Sequence, residues 1–286
     1  MIGVFSRWRR RALLILCLFL PALCCGEGFS QQTKSQAQPV PKKKPSAQAP
    51  AAPADDELLR RIEAQRAAVR SGDAAAVEQT SRKVTALALR QMAVLRSAVG
   101  AWPQAIELYR QSLNLEDLTN VRVDLAVVCL SANQFDNALE ESEKVGITEP
   151  GNARAWSVKG KVLMAKDDHK GAVEALTRSL ELKRDVNVQY ALAYSLLKLK
   201  DKAKAGAVFE QMLRDYGDRA IWHEVFGGAY RETKYLDDAA REMQRAVDMD
   251  PTLPHIHAFL GEILLEKNYW APDPQILQEF TDEVKA

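Results

Sequence analysis

From about residue 55 onward the apolar residues recur at the three- and four-residue spacing that lines one face of an α-helix, and short polar breaks interrupt them. The clearest stretch is Ala220–Pro251. Phe226 and Tyr230 mark one apolar stripe there, Met243 and Ala246 a second, and Thr233-Lys234 falls between them. This pattern predicts a helix, a short turn and a second helix, with Pro251 stopping the chain just past the second.

The same pattern repeats upstream. Leu192, Leu196, Phe209 and Met212 form the two stripes of the preceding stretch, and Trp156, Leu163 and Leu176 those of the one before it. Small residues set the register. Ala93, Ala126, Gly160, Ala193, Gly227 and Gly261 follow one another at intervals of 33, 34, 33, 34 and 34. Twelve residues after each of the first five stands an alanine: Ala105, Ala138, Ala172, Ala205 and Ala239. Two antiparallel helices approach closely only where the facing positions lack bulk, so these pairs predict the helix crossings. The turns follow at Gly100-Ala101, Ala132-Asn133, Lys166-Asp167-Asp168, Lys200-Asp201 and Thr233-Lys234.

In this register the chain resembles the tetratricopeptide repeat family, whose unit of about 34 residues carries an aromatic, Leu-Gly, Tyr, Ala, an aromatic, Ala and Pro in order. The unit from Ala220 matches through Phe226, Gly227, Tyr230, Ala239, Ala246 and Pro251. The unit from Ala153 matches through Trp156, Gly160 and Ala172, and the unit from Thr119 through Leu125, Ala138 and Pro150. The unit from Ala86 has Ala93, Ala105 and Tyr109. Arg96, where an apolar residue is usual, and Ser142, in place of the aromatic, depart from the pattern. The resemblance implies an all-α fold, a right-handed α-solenoid of helix-turn-helix repeats.

The domain reading follows. Residues 55–286 form the solenoid: a divergent unit at 55–85, repeats starting at Ala86, Thr119, Ala153, Val186 and Ala220, and a partial repeat with a capping helix at 254–286. In the divergent unit Leu58, Leu59, Ile62 and Val69 make the apolar stripe, and Ser71-Gly72-Asp73 breaks it. Arg60, Arg61, Glu63, Arg66 and Arg70 supply the polar outer face that a terminal unit needs. Its second helix, from about Ala74, can run on toward Arg96 without a clear break. Ile276, Leu277, Phe280 and Val284 form the stripe of the capping helix.

The N-terminus differs in kind. Arg7, Arg9, Arg10 and Arg11 precede an apolar run, Ala12–Leu20, that extends past Pro21 to Cys25. Residues 1–26 fit a secretory signal peptide, and the run is short for a spanning helix, which needs about 20 apolar residues. Lipidation at Cys24 or Cys25 and an uncleaved anchor are the alternatives. Residues 27–54 hold Gln, Pro, Lys and Ala with almost no large apolar side chain. Such a linker cannot bury enough surface to offset its entropy and is expected to be a disordered spacer. The expected localisation is exported, in the periplasm or at the envelope.

A net charge of +1 gives no electrostatic case for nucleic acid. Three of the four cysteines lie within the first 25 residues, leaving Cys129 as a lone thiol on a position expected to be buried. His255 and His257 stand two apart, on different helix faces, and His223 and His257 fall on core-facing positions. Asp167-Asp168-His169 lies in a turn. No phosphate loop, nucleophile elbow or paired metal motif is present. The reading is of a protein without catalytic residues, metal or cofactor.

The resemblance implies that first helices line a concave groove and that their second, fifth, ninth and twelfth positions meet a protein or peptide partner. Carried onto this chain, these are Arg154, Ser157, Lys161 and Met164; Asn187, Tyr190, Tyr194 and Leu197; Ile221, Glu224, Gly228 and Arg231; and His255, Ala258, Glu262 and Leu265. Tyr190 and Tyr194, four apart on one face, are the best anchors, with Arg154 and Lys161 expected to place positive charge beside them. Val123, Val127 and Leu130 make the groove apolar further along. The pairs Arg90 with Val94, Val123 with Val127 and Ser157 with Lys161 do not provide the Lys and Asn with which one subclass grips a chaperone's terminal carboxylate. The function expected is a scaffold or adaptor for protein segments in the bacterial cell envelope. The alternatives are an accessory subunit of an envelope enzyme or assembly complex and, more remotely, a catalytic groove.

Overall fold

A computed structural model of the chain describes residues 53–253, 255–270 and 274–285. The expected signal segment and most of the linker lie outside these residues, as do the side chains of Ile276, Leu277, Phe280 and Val284. Every regular element among the described residues is a helix. In order they are α1 Pro53–Ser71, α2 Ala74–Ala98, α3 Trp102–Leu115, α4 Thr119–Ser131, α5 Phe135–Thr148, α6 Ala153–Ala165 and α7 His169–Leu182. Then follow α8 Val186–Lys198, α9 Lys202–Tyr216, α10 Ala220–Glu232, α11 Leu236–Met249, α12 Ile256–Trp270 and α13 Pro274–Lys285. The chain divides into two compact units, one ending at Val84 and one running from Thr85 to the C-terminus.

From α3 onward each helix packs on the next, and the tightest pairs are α4 with α5, α6 with α7, α8 with α9, α10 with α11 and α12 with α13. The small residues explain the pairing. Ala93, Ala126 and Ala193 are fully buried, as are Ala105, Ala138, Ala172, Ala205 and Ala239. At Gly160 a Cβ would lie 2.6 Å from Leu176 Cγ, and at Gly227 one would lie 2.9 Å from Met243 Cε. Leu176 and Met243 occupy equivalent positions of the second helices, so a large second-helix side chain fills the notch left by a glycine in the first. Ser112 and Ser179 tie the pairs at their open ends, each Oγ donating 2.8 Å to the first helix, at Ala86 O and Ala153 O.

The turn inside each pair is built one way. Gly100, Asn133, Asp167, Lys200 and Lys234 all adopt left-handed backbone, with φ between 58° and 74°. The amide that follows each reaches back to the first helix: Ala101 to Arg96 O, Gln134 to Cys129 O, Asp168 to Leu163 O, Asp201 to Leu196 O and Tyr235 to Tyr230 O, at 2.8–3.0 Å. This satisfies carbonyls that a helix end leaves open. Only the first of these positions is glycine, so the others carry the left-handed cost of about 1 kcal/mol each. Asp168 and Asp201 then cap the second helices by accepting from Gly171 N and Lys204 N.

Between pairs, Asn152 and Asp185 cap the next first helices. Across that junction Phe209 stacks on Phe226 at 4.2 Å between ring centres, and Tyr230 meets Phe209 edge-on at 5.5 Å. First helices of successive pairs also touch, α4 with α6, α6 with α8 and α8 with α10, whereas successive second helices stay further apart. The stack therefore curves, with the first helices on its concave side. It is an all-α solenoid of helix pairs.

Two features of the N-terminal region depart from the expected stripes. In α1, Leu58 and Ile62 are half-buried, but Leu59 and Val69 face solvent. In addition, Ala86 does not begin a helix: α2 runs unbroken from Ala74 to Ala98. The stretch Arg82-Lys83-Val84-Thr85 has no Gly, Pro, Asn or Asp to stop it, unlike Pro150-Gly151-Asn152 or Gly217-Asp218 at later junctions. A helix cannot fold back on itself, so the face of α2 that corresponds to an inter-pair interface is open. Met92, Leu95 and Val99 are 48%, 68% and 75% exposed. The equivalents of Met92 and Leu95 in the next unit, Leu125 and Val128, are buried, and Ala132, the equivalent of Val99 in the turn, is half-buried.

These environments predict opposite outcomes for similar changes. Ala239→Leu overpacks a closed crossing and should cost about 1–3 kcal/mol, read as a lower thermal midpoint. Leu95→Lys should leave the midpoint nearly unchanged, whereas Val128→Lys should unfold the pair. A midpoint insensitive to Ala239→Leu would refute the crossing.

Candidate functional site

The concave wall is the inner face of α2, α4, α6, α8, α10 and α12. Its midsection comes from the fifth and ninth positions of α6, α8 and α10, and residues at other positions join it at the ends. Cross-pair contacts run along it. At one end Asp124, buried in α4, accepts from Arg90 Nε and Nη2 at 3.2 and 2.9 Å and from Arg154 Nη1 at 2.7 Å. Two guanidiniums on one carboxylate leave this part of the wall net positive.

Midway, α8 contributes Tyr190 and Tyr194, both half-buried, with ring centres 6.4 Å apart and planes tilted by 31°. The Glu232 carboxylate of α10 lies close enough for its charge to act on the Tyr194 phenol. Lys198 Nζ lies 5.6 Å from the Tyr194 ring centre, and His169 meets that ring edge-on at 6.3 Å. Burial and the negative charge of Glu232 push both phenols above their ordinary pKa. They are neutral hydrogen-bonding groups at any physiological pH.

At the far end Arg231 donates to Glu262 at 2.8 Å and to Glu266 at 3.1 Å, and its guanidinium lies 5.2 Å from the Phe259 ring centre. Lys234 completes this cluster on Glu266 at 2.5 Å. Burial pushes the carboxyl of Glu224 up, opposed by the charge of His255. No hydrogen bond or ion pair to Glu224 or to Lys161 is formed among the described residues, and both are half-buried on the wall.

The residues expected in the groove are thus partly sorted by the structure. Ser157, Lys161, Asn187, Tyr190, Tyr194, Ile221 and Glu224 are all half-buried on first helices. Arg154 is more exposed, but it is paired to Asp124 rather than standing as a spare cation beside the tyrosines. Arg231 is likewise engaged by two glutamates. Leu197 is fully buried, because the twelfth position of α8 turns into the core rather than the groove. Val123 is buried with Val145 and Ala155, and Val127 and Leu130 are half-buried against the core, so the apolar groove expected there is largely closed. His255 precedes α12 in left-handed backbone instead of lying on it.

Asp124 is the residue sequence reasoning missed. It stands 34 residues after Arg90 and 30 before Arg154, so the register itself puts an acid between two bases. His223 was read as core packing, and it is buried, but it also bonds carboxylates at both nitrogens. Nδ1 lies 2.7 Å from Glu242 Oε2 and Nε2 lies 2.7 Å from Asp218 Oδ1. His257 is half-buried against Glu283 at 2.8 Å. Cys129 is fully buried, and burial pushes its thiol up to about 11. Among the described residues no group of three His, Cys, Asp or Glu side chains could hold a metal ion, and no helix is long and apolar enough to cross a membrane.

Comparison with known proteins finds a matching repeat in the middle of the chain. Models of the tetratricopeptide repeat match residues 153–186 and 190–254. A crystal structure of a tetratricopeptide repeat protein from Parabacteroides merdae is similar at a TM-score of 0.55 and 14% identity, covering 80% of this chain and 93% of that one. A thermophilic protein of the same repeat class from Thermus thermophilus is similar at a TM-score of 0.50 and 18% identity, covering 63% of this chain and 99% of that one. These likenesses concern the fold. No curated protein matches the sequence.

Asp124 gives the site a direct test. Asp124→Ala leaves the half-buried Arg90 and the more exposed Arg154 without their acceptor and should lower stability by about 1–3 kcal/mol, measured by urea unfolding. Arg90→Ala in that background should then cost little more. Additive losses would show that the two groups do not act through one carboxylate.

Proposed function

We propose that this chain, a protein of stacked tetratricopeptide repeats, is a non-enzymatic adaptor that holds a segment of a partner protein against the concave wall of its first helices. Repeat proteins of this kind generally act as interaction scaffolds rather than catalysts. The observation that carries the reading is the Tyr190–Tyr194 pair. Two aromatic side chains sit half-buried in the middle of the wall, packed at one edge against the core and open to solvent at the other. Rigid aromatic surface with a polar tip is what protein interfaces use as anchors.

The combined variant Tyr190→Ala, Lys161→Glu should abolish recovery of a cross-linked partner from the native cell while the helical circular dichroism stays intact. Undiminished recovery would count against the wall as the binding surface. A recovered partner that is itself an enzyme would favour the accessory-subunit reading.

We also propose that the protein acts outside the cytoplasm, at the bacterial envelope, on the strength of the Arg7–Arg11 and Ala12–Cys25 pattern alone. Mass spectrometry of the mature protein should find an N-terminus near Gly26 or Gly28. An intact Met1 in the soluble cell fraction would sink the export reading.

A further inference from the structure

The wall reading leaves open which segment is held, and the two unengaged charges narrow it. Among the inner-wall groups nearly every charge is already answered. Arg90 and Arg154 share Asp124. Arg231 and Lys234 are held by Glu262 and Glu266. Lys198 lies over the Tyr194 ring, and the charge of Glu232 acts on the Tyr194 phenol. Among the described residues Lys161 on α6 and Glu224 on α10 form no hydrogen bond or ion pair, and only the charge of His255 acts on Glu224. They stand one pair to either side of the tyrosines of α8.

The register fixes the arrangement. Lys161 and Tyr194 are equivalent positions of adjacent first helices, as are Tyr190 and Glu224. A cation, two aromatic faces and a carboxyl therefore follow one another across the wall. A half-buried charge without a partner is costly. Both groups gain if a ligand supplies the opposite charge without stripping further water from an existing ion pair. Neighbouring helix axes lie about 10 Å apart, so the two charges are separated by roughly 20 Å. An extended chain covers that distance in about six residues at ~3.3 Å each.

We infer that the wall selects an extended protein segment carrying a carboxylate and a cation about six residues apart, on either side of a proline or aromatic residue that lies against Tyr190 and Tyr194. The carboxylate meets Lys161 and the cation meets Glu224. The tilted tyrosine faces suit a flat apolar group, and an extended or polyproline segment offers its side chains without first unwinding a helix. Strands of uniform charge, nucleic acid included, would answer one of the two groups and repel the other. This inference rests on the wall being the binding surface, and the test separates the two.

The probes are capped, rhodamine-labelled heptapeptides of sequence Asp-Ser-Gly-Pro-Tyr-Ser-Lys, with companions bearing Asp at both ends or Lys at both ends, titrated into the full-length protein by fluorescence anisotropy. The unmodified protein should bind the mixed peptide at least ten-fold more tightly than either companion. Lys161→Glu should move the preference to the peptide with Lys at both ends, and Glu224→Lys to the peptide with Asp at both ends. Circular dichroism and thermal midpoints confirm that each variant is folded. The same rank order of peptides in all three proteins overturns the charge assignment. If that unchanged binding is also lost in Tyr190→Ala, the wall survives as the binding surface and only the charge selection fails. Binding unaffected by Tyr190→Ala, or no binding of any peptide, overturns both.

Discussion

The close crossing of two helices at a pair of residues with almost no side chain sets everything else in this molecule. Gly160 against Leu176 and Gly227 against Met243 leave no room for a methyl group, and the alanines at the other crossings are fully buried. Close approach fixes the angle within each pair. The turn geometry then has to be short and sharp, and a left-handed residue at each turn provides it. Because the step between crossings is constant, each pair presents the same flank to the next. The stack grows by repetition of one interface rather than by enclosing a single core.

That constraint also determines where function can reside. Second helices and inter-pair faces are consumed by packing, as the Phe209–Phe226 stack shows. The inner faces of the first helices remain available, and on them polar and aromatic groups meet across pairs. Asp124 between Arg90 and Arg154, and Arg231 between Glu262 and Glu266, link three and two successive pairs respectively. Such links brace the wall at both ends. Between them, the tyrosines are held by packing against the core while Lys161 and Glu224 form no ion pair, and groups fixed in this way are what a preorganised binding surface needs.

The open face of α2 follows from the same logic in reverse. Where a junction carries Pro, Gly, Asn or Asp, the second helix ends and the next pair can close over it. The run Arg82-Lys83-Val84-Thr85 lacks those residues, and the helix continues. Met92 and Leu95 are apolar because they keep the composition of an interface, yet they are exposed because that interface is not formed by the helix that carries them.

The helix pairs and their stacking were legible in the chain, because the spacing of small residues is a local pattern and each one is decisive at its own crossing. The identity of the inner-wall helices was legible too, once the register was known. What the pattern could not determine was the state of each group on that wall. Arg154 reads as a free cation until Asp124 is seen 2.7 Å away on another pair. Leu197 reads as a groove residue until the backbone turns it inward, and His223 reads as plain packing until two carboxylates are found at its nitrogens. Periodicity reports which face a residue is on, with a tolerance of tens of degrees. Whether a charge is answered depends on ångström distances between residues some thirty positions apart, and only the packed structure brings those together.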